Sequence, residues 1–334
     1  MLAGIGNVGK AFYGLVLEKH GYIQKLYGLD LRFKAVLKSN GGFFFASGLG
    51  KGKKPDIAAW LSSSGPHWNP GLTAEAALKT GRPGVFVECT PSNIRTGEPG
   101  RRHIRAALEA GWHVVTANKG PLVVDFKGLR DLARRNRVSL KYSAATAAAL
   151  PTLDIAIYSL AGSEIQVIEG ILNGTSNYIL TRMGEGEGYA AALREAQDKG
   201  IAEPNPELDV NGWDTAVKLL LIANSALGLG LTLQEIEVEG ITQLAPELLE
   251  KATREGKAVK LIGRVTRSAN RWKAEVSPEV IDRSHPLFGV NGMNKGMTFV
   301  TDTMGRITVT GGKSDPRGAA AALLKDIIHI LSPH

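Results

Sequence analysis

A glycine-rich turn at the start of the chain constrains the fold more than any other feature. The pattern Gly4-x-Gly6-x-x-Gly9 precedes a helical stretch over residues 10–19. In such a pattern the first glycine allows a tight turn, the second lets a pyrophosphate approach the backbone, and the third permits close packing of helix on strand. The helix N-terminus then faces the anion. The predicted dinucleotide contacts are Gly4, Gly6, Asn7, Val8 and Gly9.

The segments that follow alternate between strand and helix patterns, which indicates a parallel sheet. Apolar strand candidates lie at 33–37, 85–87, 112–116 and 139–143, with a helical window at 101–110. Residues 39–54 are rich in Gly, Lys and Phe and are predicted to form a loop. Since only three residues precede Gly4, the first strand is short or the native start lies upstream. The predicted fold class is α/β, with a doubly wound (Rossmann-type) dinucleotide-binding domain.

A run of small residues at 144–151 marks the predicted domain boundary. Beyond it we expect a strand at 165–172, a Pro/Asn loop at 203–206 and a long helix at 210–227. The segment 319–331 is apolar on one face and is predicted to return to the first domain. The predicted domains are 1–145 with 305–334 for the dinucleotide, and 146–304 as an α+β substrate-binding and catalytic domain.

Composition excludes several other classes of protein. The 334 residues suit two domains, and a hydrophobic share of 43% is ordinary for a soluble globular chain. No apolar run reaches the roughly 18 residues of a membrane span, and the start lacks the pattern of a signal peptide. The net charge of +8 is dispersed, so we expect no nucleic-acid partner. The single cysteine, Cys89, fits a reducing cytoplasm.

The end of the second predicted strand bears on the choice between NAD and NADP. An acidic residue there would accept a hydrogen bond from the ribose 2′-hydroxyl of NAD. The sequence instead has Lys38 and Ser39, and the lysines at 51, 53 and 54 follow in the loop. Asp30 takes the acidic position only if the strand starts earlier. We therefore predict NADP, bound through Lys38, Ser39 and Lys54, with NAD as the alternative.

Residues 196–218 hold an unusual set of charged side chains. Pro204 and Pro206 exclude a helix through the loop, and Asp209 is placed to cap the next helix. Asp214 and Lys218 lie four residues apart on one helical face. An exposed ion pair would stabilise the helix by only about 0.3–0.5 kcal/mol, but this helix continues with an apolar run and is predicted to be buried. A buried lysine among carboxylates suits a substrate with an ammonium group and a carbonyl oxygen.

The same segment resembles the signature of the homoserine dehydrogenase family, with matching spacing at Gly200, Pro206, Asp209, Gly212, Asp214 and Lys218. The resemblance extends to 117–119, 170–180 and 285–287. It implies an NAD(P)-dependent oxidoreductase that reduces L-aspartate 4-semialdehyde to L-homoserine and catalyses the reverse oxidation. Such enzymes serve threonine, methionine and isoleucine biosynthesis. The resemblance also implies a homodimer that contacts its partner through the second domain's sheet.

The resemblance also implies roles for individual residues. Lys218 matches the catalytic lysine, and Lys119 matches a second essential lysine near the nicotinamide. The implied substrate-binding residues are Glu203, Asp209, Asp214, Gly174 and Thr175. The remaining implied cofactor contacts are Thr90, Lys119 and Gly311. The backbone amides of residues 173–175, where a strand gives way to a helix, are expected to hold the substrate carboxylate.

The chain departs from the family pattern at the hinge. Many members bind a monovalent cation partly through a glutamate, and Ser143 takes that position here. We therefore expect no metal site, including no sodium site of the family type. Since the chain ends at His334, no C-terminal regulatory domain is expected. Two alternatives stay open: an acylating, aspartate-semialdehyde-type dehydrogenase that uses Cys89 as nucleophile, and a non-catalytic NADP-binding protein.

Overall fold

The chain divides into two compact units in the computed structural model. The model describes residues 1–49, 62–63, 65, 67–80, 82–268, 271–312 and 315–332. The first unit comprises Met1–Ala148 and Asp315–His334, and the second comprises Ala149–Ser314. Residues 305–312 therefore belong to the second unit, where the last strand of its sheet pairs with a neighbour. The prediction that placed these residues in the dinucleotide domain is wrong.

A seven-stranded sheet forms the centre of the first unit, in the order β4-β3-β2-β1-β5-β6-β7. Its strands are β1 (Leu2–Ala3), β2 (Phe33–Lys38), β3 (Gly41–Leu49), β4 (Trp68–Pro70), β5 (Val85–Glu88), β6 (His113–Thr116) and β7 (Leu140–Lys141). Strands β2, β1, β5, β6 and β7 run parallel. At one edge β3 pairs antiparallel with β2, and β4 pairs antiparallel with β3. Because β1 has β2 on one side and β5 on the other, the sheet is doubly wound, and ligands bind such sheets at the carboxyl ends beside this switch point.

The first part of this unit contributes five helices from the described residues. They are α1 (Asn7–Tyr27), α2 (Ala74–Leu78), α3 (Gly100–Glu109), α4 (Lys119–Arg135) and α5 (Ser143–Thr146). Phe12, Tyr13 and Val16 of α1 pack into the core beside Leu2 and Val36 of the sheet. Helix α1 therefore covers the strands whose carboxyl ends meet the glycine-rich turn.

Strand β3 lies where the sequence predicted a loop. Phe43 and Phe45 are buried in the core cluster, and β3 pairs with β2 on one side and β4 on the other. A Cβ on Gly41 would lie 2.6 Å from the Asn69 carbonyl oxygen and 2.8 Å from the Trp68 ring. The glycines therefore allow close strand packing here, and the loop prediction is wrong for residues 41–49. Residues 50–54 lie outside the described part of the chain.

A six-stranded, mostly antiparallel sheet forms the second unit, in the order β13-β12-β8-β10-β11-β9. Its strands are β8 (Ile165–Ile171), β9 (Ile236–Val238), β10 (Ala258–Ser268), β11 (Arg271–Ile281), β12 (Lys295–Thr301) and β13 (Arg306–Gly311). Its helices are α6 (Thr152–Asp154), α7 (Gly174–Gly184), α8 (Tyr189–Asp198), α9 (Glu207–Val210), α10 (Trp213–Leu227) and α11 (Pro246–Arg254), with a π-helical turn at Ile155–Ser159 and a 3-10 turn at Leu233–Glu235. A Cβ on Gly263 of β10 would lie 3.1 Å from the Thr215 side chain, so α10 packs closely on one face of this sheet.

The last helix, α12 (Pro316–Leu331), belongs to the first unit. Its Ala320, Leu323 and Ile327 join the same core cluster as Phe12 of α1. Asp315 caps the helix, since its side chain accepts a hydrogen bond of 2.6 Å from the Gly318 amide. Among the described residues, no helix is both long and apolar enough to cross a membrane.

Candidate active site

The helix predicted to begin at 210 begins at Trp213 instead, since α9 ends at Val210 and Gly212 separates it from α10. Gly212 has φ +83° and is the N-cap residue of α10. A side chain at this position would be strained, and its Cβ would lie 3.1 Å from the Glu239 carbonyl oxygen. The break places Asp209 within α9. The prediction that Asp209 caps the following helix is therefore wrong, and its carboxylate is used elsewhere.

Lys218 and Asp214 form an ion pair in the first turns of α10. Lys218 Nζ lies 2.5 Å from Asp214 Oδ2, and the exposed fractions of the two side chains are 16% and 11%. The ammonium also donates a hydrogen bond of 2.9 Å to the Leu172 carbonyl oxygen at the end of β8. Two of its three N–H donors are thus used, and the remaining exposure leaves the amine accessible to a small molecule.

The Asn173 side chain joins the two predicted carboxylates. Asn173 Nδ2 donates to Asp209 Oδ1 at 2.6 Å and to Asp214 Oδ2 at 2.8 Å. Asn173 Oδ1 accepts from the Ser176 amide at 2.8 Å, which makes Asn173 the N-cap of α7. The sequence analysis used only the backbone of Asn173. Its position between two acids 36 and 41 residues away had no local signal.

The N-terminus of α7 lies at the same cluster. Gly174 and Thr175 are its first two residues, and both are buried. The Thr175 hydroxyl donates to the Ile201 carbonyl oxygen at 2.9 Å, so this side chain fixes the loop after α8. The first amides of a helix have no partner within the helix and lie at its positive end, where they favour an anion.

Glu203 stands apart from this cluster. Its side chain is exposed, and within the described residues only its backbone carbonyl takes part in a hydrogen bond, from Gln197 Nε2 at 3.4 Å. The structure therefore brings together Lys218, Asp209 and Asp214 but not the Glu203 carboxylate. Its substrate-binding role stays a prediction.

The glycine-rich turn of the first unit has the packing that a dinucleotide site needs. Gly4 has φ +88°, and its Cβ would lie 2.5 Å from the Cys89 backbone. A Cβ on Gly9 would collide with the Gly4 carbonyl oxygen. Gly6, by contrast, has open space at its Cβ position, and no side chain caps the start of α1 there. The turn therefore leaves room for a pyrophosphate at the helix N-terminus.

Lys38 lies at the carboxyl end of β2, where the sequence predicted a 2′-phosphate contact. Its Nζ donates to Ser63 Oγ at 2.6 Å and lies 5.8 Å from the centre of the Trp68 ring. Ser39 follows in an exposed turn. Asp30 precedes β2 and pairs with Arg32 and His20. Asp30 is therefore at the wrong end of the strand to bind the ribose, and Lys51, Lys53 and Lys54 lie outside the described residues.

A polar network surrounds Thr90 where β5 and β6 end. Glu88 is fully buried and accepts hydrogen bonds from both the Thr90 amide and its hydroxyl. Asn118 Nδ2 donates to Thr90 Oγ1 at 3.2 Å, and Asn118 Oδ1 accepts from Ser92 Oγ at 2.8 Å. Asn118 also caps α4, so it fixes Lys119 at the first position of that helix. The sequence analysis predicted roles for Thr90 and Lys119 but did not include Glu88 and Asn118, the two residues that hold them in place.

Comparison with known proteins covers both units. Family models for the NAD binding domain of homoserine dehydrogenase and for homoserine dehydrogenase match residues 4–143 and 151–328. The homoserine dehydrogenase of Methanocaldococcus jannaschii is 35% identical over 99% of this chain and 97% of its own. The chain belongs to the homoserine dehydrogenase family. The NAD(+)-dependent homoserine dehydrogenase of Pseudomonas canavaninivorans is 36% identical over 98% of this chain and 95% of its own.

Solved structures of this homoserine dehydrogenase family share the fold. A protein from Archaeoglobus fulgidus superimposes with a TM-score of 0.86 at 35% identity, covering 99% of this chain and 98% of its own. The homoserine dehydrogenase of Thermoplasma acidophilum has a TM-score of 0.79 at 25% identity, with 98% and 97% covered. The predicted family, fold class and enzyme class, an oxidoreductase that acts on a CH–OH group, are confirmed. The NAD binding domain supports a nicotinamide dinucleotide as cofactor.

Ser143, which takes the position of the family's hinge glutamate, is part of a different network in this chain. The Ser143 amide and hydroxyl both donate to the buried Asp326 carboxylate, at 2.9 and 2.8 Å. Lys325 Nζ donates to Ser143 Oγ at 3.0 Å and lies 3.1 Å from Asp326 Oδ1. A lysine ammonium thus already supplies positive charge beside this carboxylate. Within the described residues, no group of three acidic, histidine or cysteine side chains is placed to hold a metal ion.

The acylating alternative requires a reactive cysteine, and Cys89 lacks the necessary surroundings. It follows β5 in the first unit, directly against the glycine-rich turn. Burial raises the pKa of the Cys89 thiol, and the negative charge of Glu88 raises it further. A nucleophilic cysteine needs the opposite shift, because the thiolate is the reactive form. The family assignment and this environment both disfavour the alternative.

Proposed function

We propose that this chain reduces the aldehyde of L-aspartate 4-semialdehyde to the hydroxyl of L-homoserine, and catalyses the reverse oxidation, with Lys218 as the proton donor and acceptor. The arrangement of Lys218 supports this proposal most directly. Its ammonium is held by Asp214 and the Leu172 carbonyl, is largely buried and keeps a third N–H donor. Such a group can protonate a developing alkoxide and stabilise its charge.

The groups around Lys218 suit the rest of the amino-acid substrate. The Asp209 and Asp214 carboxylates, held by Asn173, provide negative charge for the substrate ammonium. The amides of Gly174 and Thr175 at the start of α7 provide donors for the substrate carboxylate. The carboxylates would hold the substrate ammonium and the α7 amides its carboxylate. The reacting carbonyl oxygen would then lie at the Lys218 amine. By resemblance, Lys119 is proposed to supply a second ammonium, and Glu203 a further carboxylate.

The glycine-rich turn fits the pyrophosphate of a dinucleotide, since only Gly6 of its three glycines has open space at the Cβ position. Asn7, Val8, Thr90 and Gly311 are proposed as further contacts. When bound, the nicotinamide cofactor supplies or accepts the hydride. The protein orients the substrate, excludes water and moves the proton at the carbonyl oxygen.

The proposed reaction is tested with the purified 334-residue chain. L-Homoserine with NADP or NAD is expected to increase absorbance at the wavelength of the reduced nicotinamide, and L-aspartate 4-semialdehyde with the reduced cofactor is expected to decrease it. A protein that binds the cofactor but turns over neither substrate would instead support the non-catalytic alternative.

We also propose that NADP is preferred over NAD. Lys38 supports this preference, because it ends β2 with its ammonium held between Ser63 and the Trp68 ring. A cation at this strand end attracts a 2′-phosphate, whereas an acidic residue would bind the 2′-hydroxyl of NAD. The Pseudomonas canavaninivorans relative is described as NAD(+)-dependent, so the preference has to be measured on this chain itself.

Replacing Lys38 with alanine is expected to weaken NADP binding by about 10- to 100-fold, the effect of losing a charge-assisted hydrogen bond, and to change NAD binding little. Titration of both nucleotides by calorimetry measures the two affinities. Lys34→Ala is a matched control, because Lys34 lies on the same strand but bonds to the Ala46 carbonyl near its other end. A clear preference of the unmodified protein for NAD would reject the assignment.

A homodimer through the second unit's sheet is proposed as well. One sheet face packs on α10 at Gly263, and the cross-strand pairs place Val167, Thr266 and Val300 on the opposite face. These side chains are partly exposed in the isolated chain, so a second copy could bury them. The reducing cytoplasm, suggested by the single cysteine, is the proposed location.

Sedimentation velocity at micromolar concentration is expected to show a dimer. Val300→Arg should produce monomers, because it would bury an unpaired charge in the interface. Ile307→Arg is the matched control, since Ile307 pairs with Phe299 on the sheet face that Gly263 shares and is already 38% exposed. A Val300→Arg protein that remains dimeric would place the contact elsewhere.

A further inference from the structure

Lys260 is a buried lysine of the second unit that lies outside the proposed catalytic cluster. Only 1% of this residue on β10 is exposed. Its Nζ donates to the Val290 carbonyl oxygen at 2.6 Å, to Asn291 Oδ1 at 2.8 Å and to Asn177 Oδ1 at 3.3 Å. These acceptors use all three of its donors.

All three acceptors of Lys260 are neutral. Glu279 is its cross-strand neighbour on β11, but the Glu279 carboxylate bonds to Arg264 at 2.6 and 2.7 Å. No carboxylate of the described residues lies within ion-pair distance of Lys260, and burial lowers its pKa to about 8. Burial of an ammonium without a counter-ion lowers the stability of the fold, and an apolar side chain at this position would stabilise it more. Packing alone therefore does not explain why this position is a lysine.

Asn177 connects this lysine to α7. Asn177 is fully buried, and the two N–H groups of its Nδ2 are shared among the carbonyl oxygens of Val290, Gly292 and Asn294 at 3.1, 2.9 and 3.1 Å. Because the Lys260 ammonium requires an acceptor, it keeps Asn177 Oδ1 on its own side and Nδ2 facing the three carbonyls. The lysine thus determines the orientation of this amide.

Asn177 follows Asn173 by four residues and therefore lies on the same face of α7, one turn along. Asn173 holds Asp209 and Asp214, while Asn177 holds the segment 290–294. A third link follows at the next turn, where Thr181 Oγ1 accepts from the Gly292 amide at 3.0 Å. Helix α7 is thus bonded along one face to the proposed catalytic cluster at its start and to the Lys260 network one turn later.

We propose that Lys260 and Asn177 are positioning residues that hold the N-terminus of α7 in register with Asp209, Asp214 and Lys218 for binding of the amino-acid substrate. This inference rests on the proposed function of the α7 amides. Hydrogen bonds weaken steeply over a few tenths of an ångström, and a misplacement of about 1 Å can lower catalytic efficiency about 100-fold. Loss of the ammonium frees the Asn177 amide to turn and α7 to shift.

Lys260→Met tests the proposal with a side chain of similar length and no charge. The KM for L-homoserine is expected to rise at least about ten-fold, while the dissociation constant for NADP stays within about two-fold, because the glycine-rich turn belongs to the other unit. Hydrogen exchange at the amides of residues 174–178 is expected to accelerate, which reports the loosening of α7 without any turnover.

Asn224→Ala is the matched control for lost stability. Asn224 is also buried, and its side chain makes two hydrogen bonds of 2.8 Å with Leu231 near the far end of α10. This variant is expected to lower Tm without raising the KM for L-homoserine. If Lys260→Met lowers Tm but leaves KM and exchange unchanged, the lysine has a structural role only and the inference is overturned.

Asn291→Ala covers the case in which Lys260→Met does not fold. Asn291 is exposed in its loop, so the variant removes one acceptor of Lys260 with little risk to the fold, and a smaller rise in KM is expected. An unchanged KM in this folded variant would also count against the proposal. A failure of the proposed function would give a different result, because the unmodified chain would then show no turnover. The hydrogen-exchange measurement would still show whether Lys260 holds α7 in place.

Discussion

Lys218→Ala is expected to lower kcat by about 10²- to 10⁴-fold, the range that a positioned acid–base group contributes. The reason is that the Lys218 amine is the group held by Asp214 and the Leu172 carbonyl to give its proton to the substrate oxygen. Cofactor affinity should stay nearly unchanged, because the glycine-rich turn is built from other residues. Steady-state kinetics in both directions and nucleotide titration measure the two effects.

Lys199→Ala provides the matched control for this experiment. Lys199 also forms an ion pair with a carboxylate four residues away, at 2.6 Å from Glu195, but its side chain is 53% exposed. An exposed pair contributes little, so this variant should keep normal kcat. Near-normal kcat in Lys218→Ala would remove Lys218 from its proposed role, provided that circular dichroism shows an intact fold.

The elements that the sequence predicted well are those with local patterns. The glycine-rich turn was predictable because its glycines follow a short, fixed spacing. The structure shows the steric reason for two of them, since Gly4 and Gly9 pack against backbone atoms. The predicted strands of the parallel sheet are apolar runs that lie between helices, and the structure has strands at each of them. Strand β3 was missed because Gly41 and Gly42 normally indicate a turn. Only the contacts with β2, Trp68 and Leu72 show why glycines lie in that strand.

The candidate site was predictable where its spacing is helical. Asp214 and Lys218 are four residues apart, and the structure forms that pair on a largely buried helix. The error at Asp209 arose because proline positions suggest where a helix can begin but do not reveal that Gly212 starts a new one with a left-handed backbone. Asn173 and Asn177 were beyond prediction from sequence, because their partners lie 36 to 117 residues away. The pairing of Lys260 with Asn177 likewise depends on how β10 and α7 pack.

Gly6→Ala is expected to weaken cofactor binding by about 10- to 100-fold and to leave the fold intact. Gly6 has φ −71° and open space at its Cβ position, so alanine fits the empty protein without strain. In the complex, that methyl group would occupy the space through which the pyrophosphate reaches the first amides of α1, and one hydrogen bond to a charged group contributes about 1.5–3 kcal/mol. Thermal unfolding without ligand should give a Tm close to that of the unmodified protein, whereas the rise in Tm on adding NADPH should shrink, because that rise depends on the ratio of ligand concentration to Kd.

Gly14→Ala separates this steric effect from a general effect of glycine on α1. Gly14 lies in the middle of the same helix and also has nothing within 4 Å of its Cβ position. Alanine there should raise the free energy of unfolding by about 0.5–1 kcal/mol, because it reduces the freedom of the unfolded chain, and should leave nucleotide affinity unchanged. If Gly6→Ala binds NADPH as tightly as the Gly14→Ala protein does, the pyrophosphate does not approach the backbone at Gly6. The dinucleotide would then have to bind elsewhere in the first unit.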